Sequence, residues 1–366
     1  VKIEEEYKIK EDSTEKDLEE TPIEDVEEET VPVNYSISSY GADYPIDSLI
    51  KRITRGVIFV PNFQRGYVWK PEHASRFIES LLLGLPVPGI FLAKESETEK
   101  LLVIDGQQRL WSLLYFYEGR FPGGRKFALK GVNTEFEGHT YESLPESFRT
   151  HLDDCIIHAT VIKQEEPNDD NTSIYHIFER LNTGGVRLQP QEIRACIYHG
   201  PLNEILHELN NNDSWRKLFG PINKNMKDQE LILRFFALNF LGHEYKNPLK
   251  EFLNIYMSKN KNFTLHKPEI LFLTFERTVD EILNYIGPSA FKPNRALRTA
   301  VFDAVMVGIS KRLEKGEIKN KEEIKLKYAE LLEDEEFQIA TRSYTTQEAA
   351  VKKRLDLAIK FFGEIE

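Results

Sequence analysis

The sequence predicts an α+β protein: a small mixed α/β domain over residues 35–166, then an all-helical domain over 167–366. Three observations carry this. Short β-type runs alternate with helical stretches up to residue 163. After Pro167 the strand texture disappears and apolar residues recur at helical spacing. Residues 1–34 resemble neither half, being rich in glutamate and poor in large apolar groups, the composition of a disordered lead.

Taken in order, β-type runs fall at residues 56–60, 89–94, 101–104, 125–129 and 156–163. In the run 101–104, four consecutive apolar residues, two of them β-branched, read as a buried strand. Between the first two runs lies a helix over 71–84, where Ala74, Phe77, Ile78 and Leu81 form one apolar stripe. Pro71 near its start and Gly84 at its end match the preferences of helix termini. Residues 95–100, polar and charged, read as a solvated hairpin loop. After Asp105-Gly106, the residues Leu110, Leu113, Leu114 and Tyr117 mark another helix. Helical periodicity then runs through 172–182, 189–199, 202–209, 228–241, 268–286, 294–313, 321–332 and 346–362. The two halves are expected to pack on each other, because only short polar segments separate them.

Charge and cysteine usage bound the function. The formal net charge is −12, yet the first 30 residues hold 14 acidic and 4 basic side chains, leaving 46 against 44 elsewhere. The folded body is therefore near neutral and lacks the basic excess of a dedicated duplex binder. Two cysteines, Cys155 and Cys196, form no disulfide framework and show no metal spacing, which suits a reducing cytoplasm. No apolar run reaches the roughly 20 residues needed to span a bilayer, and the acidic start offers no secretory signal. No membrane association is expected.

Three polar clusters carry the chemistry. In Leu101-Leu102-Val103-Ile104-Asp105-Gly106-Gln107-Gln108-Arg109, a buried strand ends in a tight turn and a helix begins. Backbone N–H groups and the positive end of the helix dipole meet a guanidinium there, a setting that suits phosphate. The same residues also fit an ordinary helix start with Asp105 as N-cap and solvated Gln and Arg side chains. Upstream, Phe63-Gln64-Arg65-Gly66-Tyr67-Val68-Trp69 sets Arg65 among aromatic residues, which either wall a ligand pocket or anchor the following helix. Downstream, Glu179-Arg180-Leu181-Asn182-Thr183-Gly184-Gly185 ends one helix, and Leu188-Gln189-Pro190-Gln191-Glu192 opens the next. Glu179 and Asn182 lie i, i+3 and could share a divalent cation; a structural helix end explains them equally.

In their order, the three clusters resemble the N-terminal domain family of GmrSD-type, modification-dependent restriction endonucleases, of ParB/sulfiredoxin-like fold. The similarity runs from about Tyr44 to the helical region around Arg234. It implies a nucleoside triphosphate (NTP)-binding and NTP-hydrolysing, Mg²⁺-assisted module of a bacterial antiviral, modification-dependent restriction system. ParB proteins bind a nucleoside triphosphate through three similarly ordered motifs. By that likeness Gly106, Gln107, Gln108 and Arg109 cradle phosphates, with Gln64 and Arg65 in the first motif and Arg180 and Asn182 in the third. Asp105 and Arg109 are the expected catalytic pair, and Glu179 and Asn182 the expected metal ligands. The third segment departs from the ParB pattern, its acid standing two residues further from the Leu-x-Pro-x-Glu part. Sulfiredoxin chemistry needs a cysteine where Gln107-Gln108 stands, so it is set aside.

No histidine follows His266 and none forms a His-Glu-x-x-His pair, so no His-Asn-His nuclease is expected in this chain. A separate nuclease subunit and modified DNA are then the expected partners. There is also no P-loop motif. Two other readings compete: a non-hydrolysing nucleotide- or DNA-binding switch that recruits a nuclease, and a metal-dependent nuclease using Asp105 and Glu179.

Overall fold

The computed structural model describes residues 36–60, 67–95, 98–166, 172–181, 188–293 and 296–366. The acidic lead, Gln64, Arg65 and Asn182 lie outside the described residues. Among the described residues there are one five-stranded sheet and fifteen α-helices, a mixed α+β architecture that is mostly helical.

The sheet order is β1 (Ser36–Pro45), β5 (Ile156–Glu166), β3 (Ile90–Lys94), β4 (Leu101–Asp105) and β2 (Ile58–Phe59). β1 runs antiparallel to β5, β5 parallel to β3, β3 antiparallel to β4, and β4 parallel to β2. The β3–β4 pair is a hairpin across the polar 95–100 segment, closed by Glu95 N–H donating to the Lys100 carbonyl at 2.9 Å.

Because side chains alternate across a strand, the central strands divide the core in two. Leu101 and Val103 of β4, Ile90 and Leu92 of β3, and Ala159 and Val161 of β5 face one cluster. That cluster is completed by α1 (Ile46–Thr54), α2 (Pro71–Leu82), α3 (Gln107–Glu118) and α4 (Glu146–Asp154). Leu102, Ile104, Ala93 and Ile162 point the other way and join the core of the helical half. α5 (Thr172–Leu181) lies against that face through Ile174, Tyr175 and Phe178. The first four residues of β4, 101–104, are thus all apolar because both faces are covered there.

The helical half continues with α6 (Pro190–Ile197), α7 (Pro201–Asn210), α8 (Asp213–Phe219), α9 (Lys227–Leu241), α10 (Leu249–Asn260) and α11 (Pro268–Tyr285). It closes with α12 (Thr299–Leu313), α13 (Glu322–Glu333), α14 (Glu335–Arg342) and α15 (Glu348–Gly363). α12 is buried along nearly its whole length and forms the axis on which α9, α11 and α15 pack. Between these helices Asp303 accepts from Arg234 Nε at 2.5 Å and from Arg354 Nη2 at 2.6 Å.

One expected strand fails to form. Residues 125–129 make a single bridge, Arg120 to Lys126, and otherwise run as a loop. Phe127 and Leu129 do point into the core, but their N–H groups donate to the Gly119 and His139 carbonyls rather than to a neighbouring strand. No described helix is long and apolar enough to cross a membrane.

Candidate functional site

The site is built where β4 hands the chain to α3. Gly106 occupies the N-cap position with φ +98°, a left-handed conformation, and no side chain caps the helix. Glycine is required twice over. The φ disfavours any L side chain, and a Cβ would fall 2.5 Å from Ile90 Cγ2. The tight turn brings Asp105 and Arg109 face to face across the helix start.

Asp105 is therefore not the N-cap. Its Oδ2 accepts from Arg109 Nη2 at 2.7 Å, and the same nitrogen donates to the Gly89 carbonyl at 2.9 Å. The Arg109 side chain is 18 % exposed and that of Asp105 is 48 % exposed, so the carboxylate faces solvent while the guanidinium lies deeper. Arg109 Nε is buried with no partner among the described residues. Gly89 is itself seated against β5, since a Cβ there would meet the His158 carbonyl oxygen at 2.7 Å. A cation held at a helix N-terminus opposes the helix dipole; this favours an anion there, which would gain from both.

Gln108 acts differently from its neighbours. Its Oε1 accepts from the backbone N–H groups of Val68 (3.0 Å) and Trp69 (3.2 Å). Tyr67 adds a second tie: its hydroxyl lies 2.8 Å from Ser112 Oγ, which donates to the Gln108 carbonyl at 2.7 Å. The Tyr67 ring packs edge-on against Tyr115, on which Trp111 stacks. Tyr67, Val68 and Trp69 are thus bolted to the first turn of α3. Sequence pattern marks Gln108 as a ligand group and Tyr67 as one of the aromatic residues near Arg65, whereas nothing in it signals Ser112 or the Gly89 carbonyl, whose parts depend on tertiary position.

The third cluster divides. Glu179, on α5, accepts at Oε1 from Lys250 Nζ at 2.7 Å and turns Oε2 toward His176 Nδ1 at 3.7 Å. His176 Nε2 pairs with Glu251 Oε1 at 2.7 Å. The His176 pair and Lys250, against a smaller opposing effect of burial, hold the Glu179 carboxyl down at about 2. Burial works against the His176 cation, but Glu179 and Glu251 override it and raise its pKa to about 9. Both Glu179 oxygens thus face cationic partners, and among the described residues no group of three His, Cys, Asp or Glu side chains is arranged to hold a metal. Arg180 is exposed on the same helix. The Leu-Gln-Pro-Gln-Glu segment opens α6, with Pro190 in its first turn. There the buried Glu192 carboxylate accepts from Gln189 N–H at 2.7 Å, half of a capping box. Arg194 is fully buried on Asn254 (2.8 Å) and Glu230 (2.8 Å).

Residues 46–199 match the family described as GmrSD restriction endonuclease, N-terminal domain. The chain is also similar to an uncharacterized protein of Methanocaldococcus jannaschii, at 32 % identity over 20 % of this chain and 17 % of that protein. The match spans about a sixth of that relative's length.

Proposed function

Since residues 46–199 belong to the GmrSD restriction endonuclease N-terminal domain family, we propose that this protein is the nucleotide-dependent component of a cytoplasmic, modification-dependent restriction system. In this reading it binds a nucleoside triphosphate with Mg²⁺ and hydrolyses it. The carrying observation is the uncapped, glycine-initiated start of α3 with the Arg109 guanidinium fixed beside it. A ParB-like arrangement of the sheet and motifs belongs to the same proposal.

The phosphates lie on the Gly106–Arg109 turn, where backbone amides and the Arg109 charge act together. Arg109 stays oriented because Gly89 and Asp105 hold one of its nitrogens from two sides. Asp105, being half exposed, orients the attacking water. It also suits Mg²⁺, which needs only one or two carboxylates when phosphate oxygens supply the rest. The metal, when bound, spreads and neutralises phosphate charge. Glu179, already neutralised by Lys250 and His176, is better suited to bracing α5 against α10. Gln108 holds the Val68 and Trp69 amides, and Arg65, of the first motif, is proposed to supply a second positive charge. Modified DNA and a separate nuclease subunit are the proposed partners.

A second reading has an observation of its own. The Asp105–Arg109 pair would have to loosen before Asp105 could orient water, which suits a site that binds nucleotide without turning it over. One experiment separates the two: NTP binding and phosphate release measured on the same samples with Mg²⁺ present. The proposal expects both for wild type and at least a tenfold loss of binding for Arg109→Ala. Binding without release supports the switch. No binding of any NTP, or unchanged binding by Arg109→Ala, overturns both.

A further inference from the structure

α3 buries Leu110, Leu113 and Phe116 in the core it shares with the sheet. Gln107, Trp111, Tyr115 and Glu118 therefore fall along its outer face, at i, i+4, i+8 and i+11. All four are exposed or half-buried. Two of them are large aromatic groups, and Trp111 stands only roughly 6 Å along the helix axis beyond Gln107.

Trp111 is the more telling of the two. Among the described residues its ring joins neither hydrophobic core, so the fold draws little from it. Its ring stacks on that of Tyr115, with centroids 5.5 Å apart and planes 12° from parallel. Tyr115 is held in turn. The Tyr67 ring meets it edge-on at 5.1 Å, and the Tyr67 hydroxyl lies 2.8 Å from Ser112 Oγ. Helical side chains lean toward the N-terminus of their own helix. Tyr115 thus backs Trp111 from the C-terminal side, and the other face of the indole looks along the helix toward Gln107 and the turn. Among the described residues no other ring stacks on it.

We infer that Trp111 is the platform on which the base of a bound nucleoside triphosphate stacks. This rests on the triphosphate reading of the α3 turn and adds what the phosphate contacts lack, a hold on the base. A nucleotide with its phosphates on the Gly106–Arg109 amides carries its base one ribose away, on the scale of the step from Gln107 to Trp111. Arg109, two residues from each, lies on the opposite side of the helix, where it meets Gly89. Phosphate and base contacts therefore do not compete for the same space. An indole braced on one side offers a wide flat surface, and every base has a π-face to lay on it. Such stacking tolerates any base and rewards the larger ring system of a purine.

Calorimetry and tryptophan emission of the full chain test it, with Mg²⁺ present and ATP, GTP or inorganic tripolyphosphate as ligand. Tripolyphosphate has the phosphate chain without the base. Wild type binds the nucleotides about tenfold more tightly than tripolyphosphate, and only the nucleotides quench emission. Trp111→Leu brings nucleotide affinity down to that of tripolyphosphate, leaves the latter unchanged within twofold and keeps the thermal midpoint. Trp111→Phe restores most of the affinity without the quench, while Trp215, fully buried, stays silent throughout. Nucleotide affinity unchanged within twofold in Trp111→Leu overturns the stacking and leaves the phosphate reading standing. Equal affinity of wild type for nucleotide and tripolyphosphate does the same. Wild type that binds none of the three ligands overturns both.

Discussion

At Gly106 a backbone angle, a steric limit and a charge pair meet in one residue. The positive φ lets β4 turn straight into α3, the missing Cβ leaves room for Ile90, and the turn sets Arg109 against Asp105. Gly106→Ala is expected to destabilise the fold by about 1–3 kcal/mol, from left-handed strain together with the Ile90 contact. Thermal or denaturant unfolding measures this, and an unchanged midpoint would contradict the steric account. Much of this turn was legible in sequence, since an apolar run, Asp-Gly and a helical stripe in succession leave few alternatives. The destination of the Asp105 side chain was not legible. Whether a carboxylate caps its own helix or reaches an arginine four residues on depends on the glycine's φ, which spacing does not reveal. Gln108 teaches the same lesson, for its partners are backbone amides of Val68 and Trp69, forty residues away.

Elements with their own apolar stripe were readable, and those that depend on a distant partner were not. α2 and α9 announce themselves by periodicity. β1, in contrast, is the polar run Ser-Ile-Ser-Ser-Tyr-Gly-Ala-Asp-Tyr-Pro, and it is a strand because ten of its residues find β5 more than a hundred positions later. α4, α8 and α14, each of seven to nine residues, are too short for periodicity to stand out. Residues 125–129 misled in the opposite way, having the inward-pointing pattern of a strand but loop carbonyls as partners. Between elements, the Glu179–Lys250 and His176–Glu251 pairs tie α5 to α10. His176 titrates at about 9 in the fold against 6.5 ordinarily, so its contribution is complete below about pH 6.5 and is lost as pH rises through 9. Glu179 sits at about 2 against 4.5, so its contribution is complete above about pH 4.5 and is lost as pH falls toward 2. The tie is strongest between those limits. His176→Gln should flatten the loss of thermal midpoint between pH 6.5 and 9; parallel curves for variant and wild type would contradict it.

For the whole molecule, the central sheet is a wall shared by two cores. Alternate residues of β3, β4 and β5 feed two cores, so the helical half covers the sheet face opposite α1–α4. The sequence showed the change of texture at Pro167 but not this sandwich, because which face of a doubly apolar strand meets which helices is a tertiary fact. The helical half is pinned at its own centre by Asp303, which holds Arg234 and Arg354 where neither cation reaches water. Asp303→Asn leaves two guanidinium groups buried on a neutral amide. It should cost about 3–5 kcal/mol, read from chemical denaturation, and a loss under about 1 kcal/mol would show that solvent reaches the network.

These scales converge on the start of α3, and a crystal structure with a nonhydrolysable nucleoside triphosphate and Mg²⁺ tests that convergence most directly. Phosphate oxygens are expected on the Gly106–Arg109 amides, with the Arg109 guanidinium on the phosphates and still in contact with the Gly89 carbonyl. A triphosphate bound elsewhere, with the Asp105–Arg109 pair and the α3 turn unoccupied, would contradict it.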